Sequence, residues 1–325
     1  MKKEATGRPK TDAYSSSGAM SLSVIVVCAF AAAGFALQLA AGGFNLHTLA
    51  YPVDALMGGA MVLLCVAMAI VRDSAFVRWF TGVPMSVSLI AGLGLLALIM
   101  GLTPQGATPM GGTAEVSARL GFSEMTSSWP FVMIYTLLLL SLGGLIARRL
   151  AEFRARDWAF HMNHLGLWLI LFAAGLGSAD TERYIVQVDE GAVTKRGYDD
   201  RGMPREMPIA VRLHDFTMEE YPPQSPAARP EPKRFASDIE ITTPDGSTKR
   251  GLTEVNHPLN TGGWMVYQYG YDREAGPTST YSVVEIVRDP WLAPVYAGFI
   301  MMTIGAVAMI WRGKSKEEGK KDGLE

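Results

Sequence analysis

Residues 161–168 read HMNHLGLW and carry two of the five histidines in a chain of 325 residues. A neutral imidazole has a nitrogen lone pair suited to the axial position of a haem iron. On a helix His161 and His164 fall on one face, one turn apart. They stand where a basic stretch, "ARRLAEFRAR", gives way to an apolar run, so the helix that carries them is expected to enter a membrane there. Two readings of the pair stay open on spacing alone. Ionisable groups at membrane depth are functional candidates by default. An interfacial histidine that bonds a neighbouring helix or reaches water explains the same residues.

The elements that position this pair follow from hydropathy. Mean hydropathy is positive, and 49% of the residues are apolar. Apolar runs long enough to cross a hydrocarbon core lie at about 20–41, 53–71, 83–102, 130–147, 158–178 and 291–311. Some 110 residues of ordinary polar sequence separate the last two. The expectation is a polytopic α-helical membrane protein with six spans and an inserted antiparallel β-rich extracytoplasmic domain. The parts are a cytoplasmic tail (1–19), a five-span region (20–178), a β-sandwich-like domain (179–289), a closing span (290–311) and a second cytoplasmic tail (312–325).

Lys and Arg set the orientation. Lys2, Lys3, Arg8 and Lys10 precede the first span, and Arg72 and Arg78 follow the second. Arg148, Arg149, Arg154 and Arg156 follow the fourth, and Arg312, Lys314, Lys316, Lys320 and Lys321 close the chain. The short loops on the other side hold only Arg119. Both termini are therefore expected in the cytoplasm, with the β-domain outside. A basic leader raises the possibility of a signal peptide, but the first apolar run of about 22 residues and its poor cleavage site favour an uncleaved span.

Cys28 and Cys65 fall inside spans and no CxxC pair exists, which excludes thiol–disulfide exchange and a Cys-ligated zinc as the chain's own chemistry. The net charge of −2 is segregated by side and gives no support to nucleic-acid binding. A bis-histidine haem held between spans is also excluded within one chain, because His47 lies in a loop and His214 and His257 lie in the outer domain. A lone iron needs its second ligand from another protein. A short amphipathic segment around "AEVSARLGFSEM" is expected to lie on the membrane.

The outer domain reads as strands: "RYIVQV", "PIAVRLHDF", "RFASDIEIT", "TKRGLTEV", "WMVYQYGY" and "TYSVVEIV". Asp245-Gly246 is a hairpin signal, and "YPPQSPAARPEP" (221–232) is a loop. The pattern suggests an antiparallel sandwich or a flattened barrel.

The order of these parts resembles the ResB (or CcsB) family of cytochrome c biogenesis proteins. The resemblance is carried by "VNHPLNTGGWMVYQYGYD" (255–272), with Asn256, Pro258, Leu259, Gly263, Tyr267, Gln268, Tyr271 and Asp272. Arg288, Asp289 and Pro290 add to it at the entry to the last span. The first four spans match by position and hydropathy only. The resemblance implies a haem-handling, non-catalytic subunit of a holocytochrome c synthase in the bacterial inner membrane. Its cargo would be haem b in transit. Its partners would be a tryptophan-rich CcsA/ResC-type membrane protein, apocytochrome c with its CxxCH motif, a thioredoxin-like thiol reductant and the lipid bilayer. It also implies that His164 ligates the iron, with His161 as the fallback. Arg154 and Arg156 would stand near the haem propionates; the positive-inside rule accounts for the same arginines. Asn256, Pro258, Gln268, Tyr271, Arg288 and Asp289 are expected to be structural, with apocytochrome contact by Gln268 and the tyrosines as the other reading. Two rivals remain: a haem b subunit of a quinol-oxidising complex, and a scaffold that never touches haem.

Overall fold

The computed structural model describes residues 16–106, 113–200, 202–222 and 231–321. It divides into a helical unit, residues 1–179 and 293–325, and a β-unit, residues 180–292.

Among the described residues, six helices are long and apolar enough to span a membrane. They are α1 (Ser16–Ala41), α2 (Val53–Ile70), α4 (Val83–Leu102), α6 (Trp129–Leu150), α7 (Trp158–Gly177) and α8 (Leu292–Lys321). Two short helices join them, α3 (Ala75–Phe80) and α5 (Thr113–Arg119). Side chains such as Leu63, Ile90 and Leu95 project outward, as suits a surface solvated by lipid. What holds the bundle is close approach of backbones at small residues. A Cβ on Gly34 of α1 would lie 2.6 Å from Pro130 Cα of α6, and one on Gly58 of α2 would lie 2.8 Å from the Phe172 ring of α7. Polar groups tie α3 to its neighbours. The Trp79 indole donates to Ser23 Oγ at 3.1 Å, Ser141 Oγ donates to Phe80 O at 2.7 Å, and Arg148 donates to Thr81 Oγ1 at 2.8 Å.

The β-unit contains β1 (Glu182–Asp189), β2 (Val193–Tyr198), β3 (Pro204–Glu220), β4 (Pro232–Thr242), β5 (Thr248–Glu254), β6 (Leu259–Thr261), β7 (Trp264–Tyr271) and β8 (Tyr281–Arg288). They form one antiparallel sheet in the order β5-β4-β3-β2-β1-β8-β7-β6. Its edges approach each other: Thr253 Oγ1 of β5 donates to Val266 O of β7 at 2.7 Å, and Lys249 Nζ donates to Asn260 O at 2.7 Å. The result is a nearly closed barrel, not the two stacked sheets of a sandwich. The seventeen-residue β3 pairs with both β2 and β4 within this one sheet. A bulge at His214 bends it, and bulges raise strand twist.

The interior is filled by alternate residues, among them Val186, Ile209, Leu213, Ile239, Val266 and Ile286. Two strands were not evident in the sequence. The β2 sequence "VTKRGY" is polar and mostly exposed, and β6 is only three residues long. Asp245-Gly246 does join β4 to β5, with Gly246 at φ 83°. Most of the proline-rich 221–232 stretch lies outside the described residues. Entry and exit of the β-unit are tied together by the Glu182–Arg288 ion pair at 3.1 Å and by a hydrogen bond from the Trp291 indole to Asp180 Oδ2 at 2.8 Å. Adjacent ends are what permit a domain to be inserted between two spans.

Candidate functional site

The helix with the paired histidines starts after a short 3-10 turn, Ala155–Asp157. His161 therefore lies in its first turn and His164 in its second. One face of α7 is taken by α8. A Cβ on Gly166 would lie 2.5 Å from Met302 N, one on Gly298 would lie 2.8 Å from Gly166 O, and one on Gly305 would meet Asn163 N. Asn163 Nδ2 donates to Met302 O at 3.2 Å, which adds a polar contact to this seam. The other face turns to α6, where Trp168 Nε1 donates to Leu139 O at 3.0 Å. His161, His164 and Trp168 stand at i, i+3 and i+7, so the histidines share the tryptophan's face.

The two imidazoles have different surroundings. His164 is half-buried, stacks on Phe160 with ring centroids 3.8 Å apart, and its Nδ1 lies 2.9 Å from Phe160 O. A carbonyl can only accept, so in the neutral ring Nδ1 carries the hydrogen and Nε2 keeps its lone pair. A backbone acceptor of this kind fixes the tautomer of metal-ligating histidines. His161 is buried, with Phe153 5.5 Å and Phe160 5.6 Å away by centroid. Its Nδ1 is buried without a hydrogen-bond partner. An orphaned polar atom of this kind calls for a ligand or an adjustment of the ring.

The nearest cation is not one of those singled out in the sequence. Arg149, in the last turn of α6, sets its guanidinium 4.4 Å from the Phe160 centroid, so Arg149, Phe160 and His164 form one stack. Arg154 is exposed at the head of the 3-10 turn, and Arg156 is exposed with Asp157 3.8 Å away. The spacing of Phe160 and His164 by four residues on a helix was the available signal for this stack. Nothing in the sequence selected Arg149 from among the four arginines of the loop.

The outer-domain motif is placed residue by residue. Asn256 adopts φ 64° in the turn between β5 and β6, a left-handed position that asparagine tolerates, with Pro258 just beyond it. Gly262 and Gly263, both at positive φ, make the two-residue hairpin turn between Thr261 and Trp264. Gln268 points into the barrel: it accepts from Ser237 Oγ at 2.6 Å and donates to Ser282 Oγ at 2.9 Å and Gly270 O at 2.8 Å. It is therefore not on a surface that an apocytochrome could touch. Tyr271 packs beside Phe216 at 5.6 Å and Phe235 at 4.9 Å. Tyr269 is exposed. Arg288 pairs with Glu182 and lies 5.7 Å from the Trp264 ring. Asp289 Oδ1 accepts from Trp291 N at 2.9 Å, holding the turn into α8.

Residues 153–279 match the ResB-like family. Among curated proteins, none matches the chain. Among solved structures the chain is similar to one described as "Cytochrome c Heme Lyase CcmF", at 15% identity and a TM-score of 0.34. That likeness covers 80% of this chain and 45% of the other, so the chain spans less than half the length of that protein. It is too distant to carry an argument. The family match runs from just before the paired histidines, through α7, to the turn that follows the 255–272 motif, and over residues 153–279 the chain is ResB-like.

Proposed function

We propose that this chain is a haem-handling subunit of a cytochrome c synthase complex, and that His164 holds the iron of haem b in transit. Haem is the cargo here, not a resident cofactor. The single observation that carries the reading is the Nδ1 contact of His164 with Phe160 O at 2.9 Å, which leaves Nε2 as a donor inside a ResB-like region. His161, one turn earlier and with an unsatisfied ring nitrogen, is the second donor available on the same face. Arg149 supplies positive charge close to both, and is a better placed partner for a propionate than Arg154 or Arg156.

Two histidines on one helix do not close a bis-imidazole site on an iron lying between helices, so the other axial ligand comes from a partner. A tryptophan-rich CcsA/ResC-type membrane protein fits that need. The outer β-unit would then stand where apocytochrome c and a thiol reductant meet. Thioether formation adds a cysteine thiol across a haem vinyl group. This chain would contribute to it by position and by exclusion of water.

The test is assembly of c-type cytochromes in cells carrying His161→Ala, His164→Ala or both, with chain abundance measured in parallel. The reading expects normal abundance and severe loss of haem attachment in the double variant, with most of the loss already present in His164→Ala. Unchanged attachment in the double variant would favour the scaffold. Haem that stays bound to the chain without its partner, and that quinol reduces, would favour the redox subunit.

A further inference from the structure

The helical unit holds a partly open cavity of about 640 Å3 near the C-terminal end of α7. Phe30, Phe44, Met57, Met61, Trp129 and Tyr135 form much of its wall, and among the described residues no Lys, Arg, His, Asp or Glu lines it. Its size is that of a small-molecule site. Several polar groups in the wall are already satisfied. Tyr135 donates to Leu171 O at 2.5 Å, Thr136 Oγ1 donates to Val132 O at 2.8 Å, and Ser178 Oγ donates to Gly175 O at 3.0 Å. The Trp129 backbone N–H donates to Gln38 Oε1 at 3.2 Å. The Trp129 indole Nε1 is different: it is buried and has no acceptor. An indole N–H normally finds a partner when buried.

We propose that this cavity binds one acyl chain of a membrane lipid, with the chain's ester carbonyl accepting a hydrogen bond from Trp129 Nε1. Three observations select that chemistry. The wall is apolar, so an ionised headgroup or a porphyrin propionate would be buried there without a counter-charge. Among the buried polar groups of the wall, the one without a partner, Trp129 Nε1, is a donor, so a ligand that reaches it must bring an acceptor. Trp129 stands at the first residue of a membrane-spanning helix, at the depth where indoles meet the interface and where lipid esters lie. Met57 and Met61 give the wall adaptable, unbranched side chains suited to a flexible chain. The site lies at the opposite end of α7 from His161 and His164, and does not depend on the haem reading.

The test uses the full chain in phospholipid nanodiscs, with a photoreactive diazirine on an acyl carbon near the ester. Labelling of wall peptides from α2, α6 and α7 is compared with labelling of outward-facing Leu95 and Leu98 on α4, which report lipid that merely surrounds the bundle. Enrichment of the wall over α4 is expected in the unmodified chain. Trp129→Phe keeps the ring beside Phe44 and removes the donor, and should reduce that enrichment about 3- to 10-fold, the effect of one hydrogen bond. Thr136→Phe puts a ring into the cavity and should lower the enrichment as well. Competition by unlabelled phospholipid in the unmodified chain gives the same answer without a variant. Wall labelling no greater than on α4, enrichment unmoved by both variants and by competitor, or labelling by a photoreactive prenyl quinone that phospholipid does not displace would each overturn the proposal.

Discussion

The two units of this chain are held together by opposite means. The β-unit has a dense interior in which Ile209, Leu213, Ile239, Ile241, Val266 and Ile286 are fully buried. Such burial is driven by water, at about 25 cal/mol per Å2 of apolar surface. The helical unit leaves Leu63, Ile90, Leu95 and Leu98 exposed, because lipid is as apolar as they are. Its helices pack Met85, Leu89 and Ile134 between them and come closest at Gly34, Gly58, Gly166, Gly298 and Gly305, where any Cβ would collide with a neighbour. The candidate ligand site belongs to the second kind of structure. His164 sits on a helix, α7, that closely approaches α8 at Gly166. In the outer unit, the 255–272 stretch holds a left-handed Asn256, a Gly262-Gly263 turn and a buried Gln268.

This contrast can be broken from either side. The largest effect is expected in the barrel. Ile239→Ala opens a void at a fully buried position and should destabilise the β-unit by about 2–5 kcal/mol, read as earlier denaturant unfolding of its strands by hydrogen exchange. The peptides of α6 and α7 should keep their protection. Gly166→Ala is the matched change in the helical unit. Its Cβ would meet Met302 N and Gly298 O, both backbone atoms that cannot swing aside. A loss of about 1–3 kcal/mol is expected, with protection falling along α7 and α8 while the barrel's strands are unmoved. A loss of protection in both units from either variant would contradict their separate construction.

The smallest effect is electrostatic. The Arg250 guanidinium, by hydrogen bonding, holds the Asp238 carboxyl below the usual carboxylate range, and Arg234 does the same for Glu254. A carboxyl with a depressed folded-state value stabilises the fold above its unfolded value, about 3.9 for Asp and 4.3 for Glu. That stabilisation is lost as pH falls through the lower folded-state values. The β-unit should therefore hold its melting temperature from neutrality down to about pH 5 and lose it below about pH 4. Arg234→Gln should flatten part of that slope. These pairs are exposed, so the shift should be small and should shrink further in salt. An equal slope in Arg234→Gln would show that the decline has another source.

The sequence made the membrane spans legible because hydropathy is a property of a whole window, insensitive to single residues. The six strands with branched, alternating residues were equally plain. The polar β2 and the three-residue β6 were not, since neither carries enough periodic signal, and barrel closure depends on contacts between β5 and β7 that are distant in sequence. In the candidate site, the shared face of His161 and His164 was readable from spacing. The fixed tautomer of His164 and the stack with Arg149 were not, because both depend on which rotamer and which neighbouring helix turn meet at that point.

The central claim is that His164 is the nitrogen donor to the cargo iron, and one measurement addresses it most directly. The chain is purified with the proposed tryptophan-rich partner, and the haem absorption spectrum is recorded for the unmodified complex and for His164→Gly, with and without added imidazole. The account predicts loss of the six-coordinate haem spectrum in His164→Gly and its return when imidazole fills the space of the missing ring. An unaltered spectrum in His164→Gly, or a loss that imidazole leaves untouched while the complex remains assembled, would contradict it.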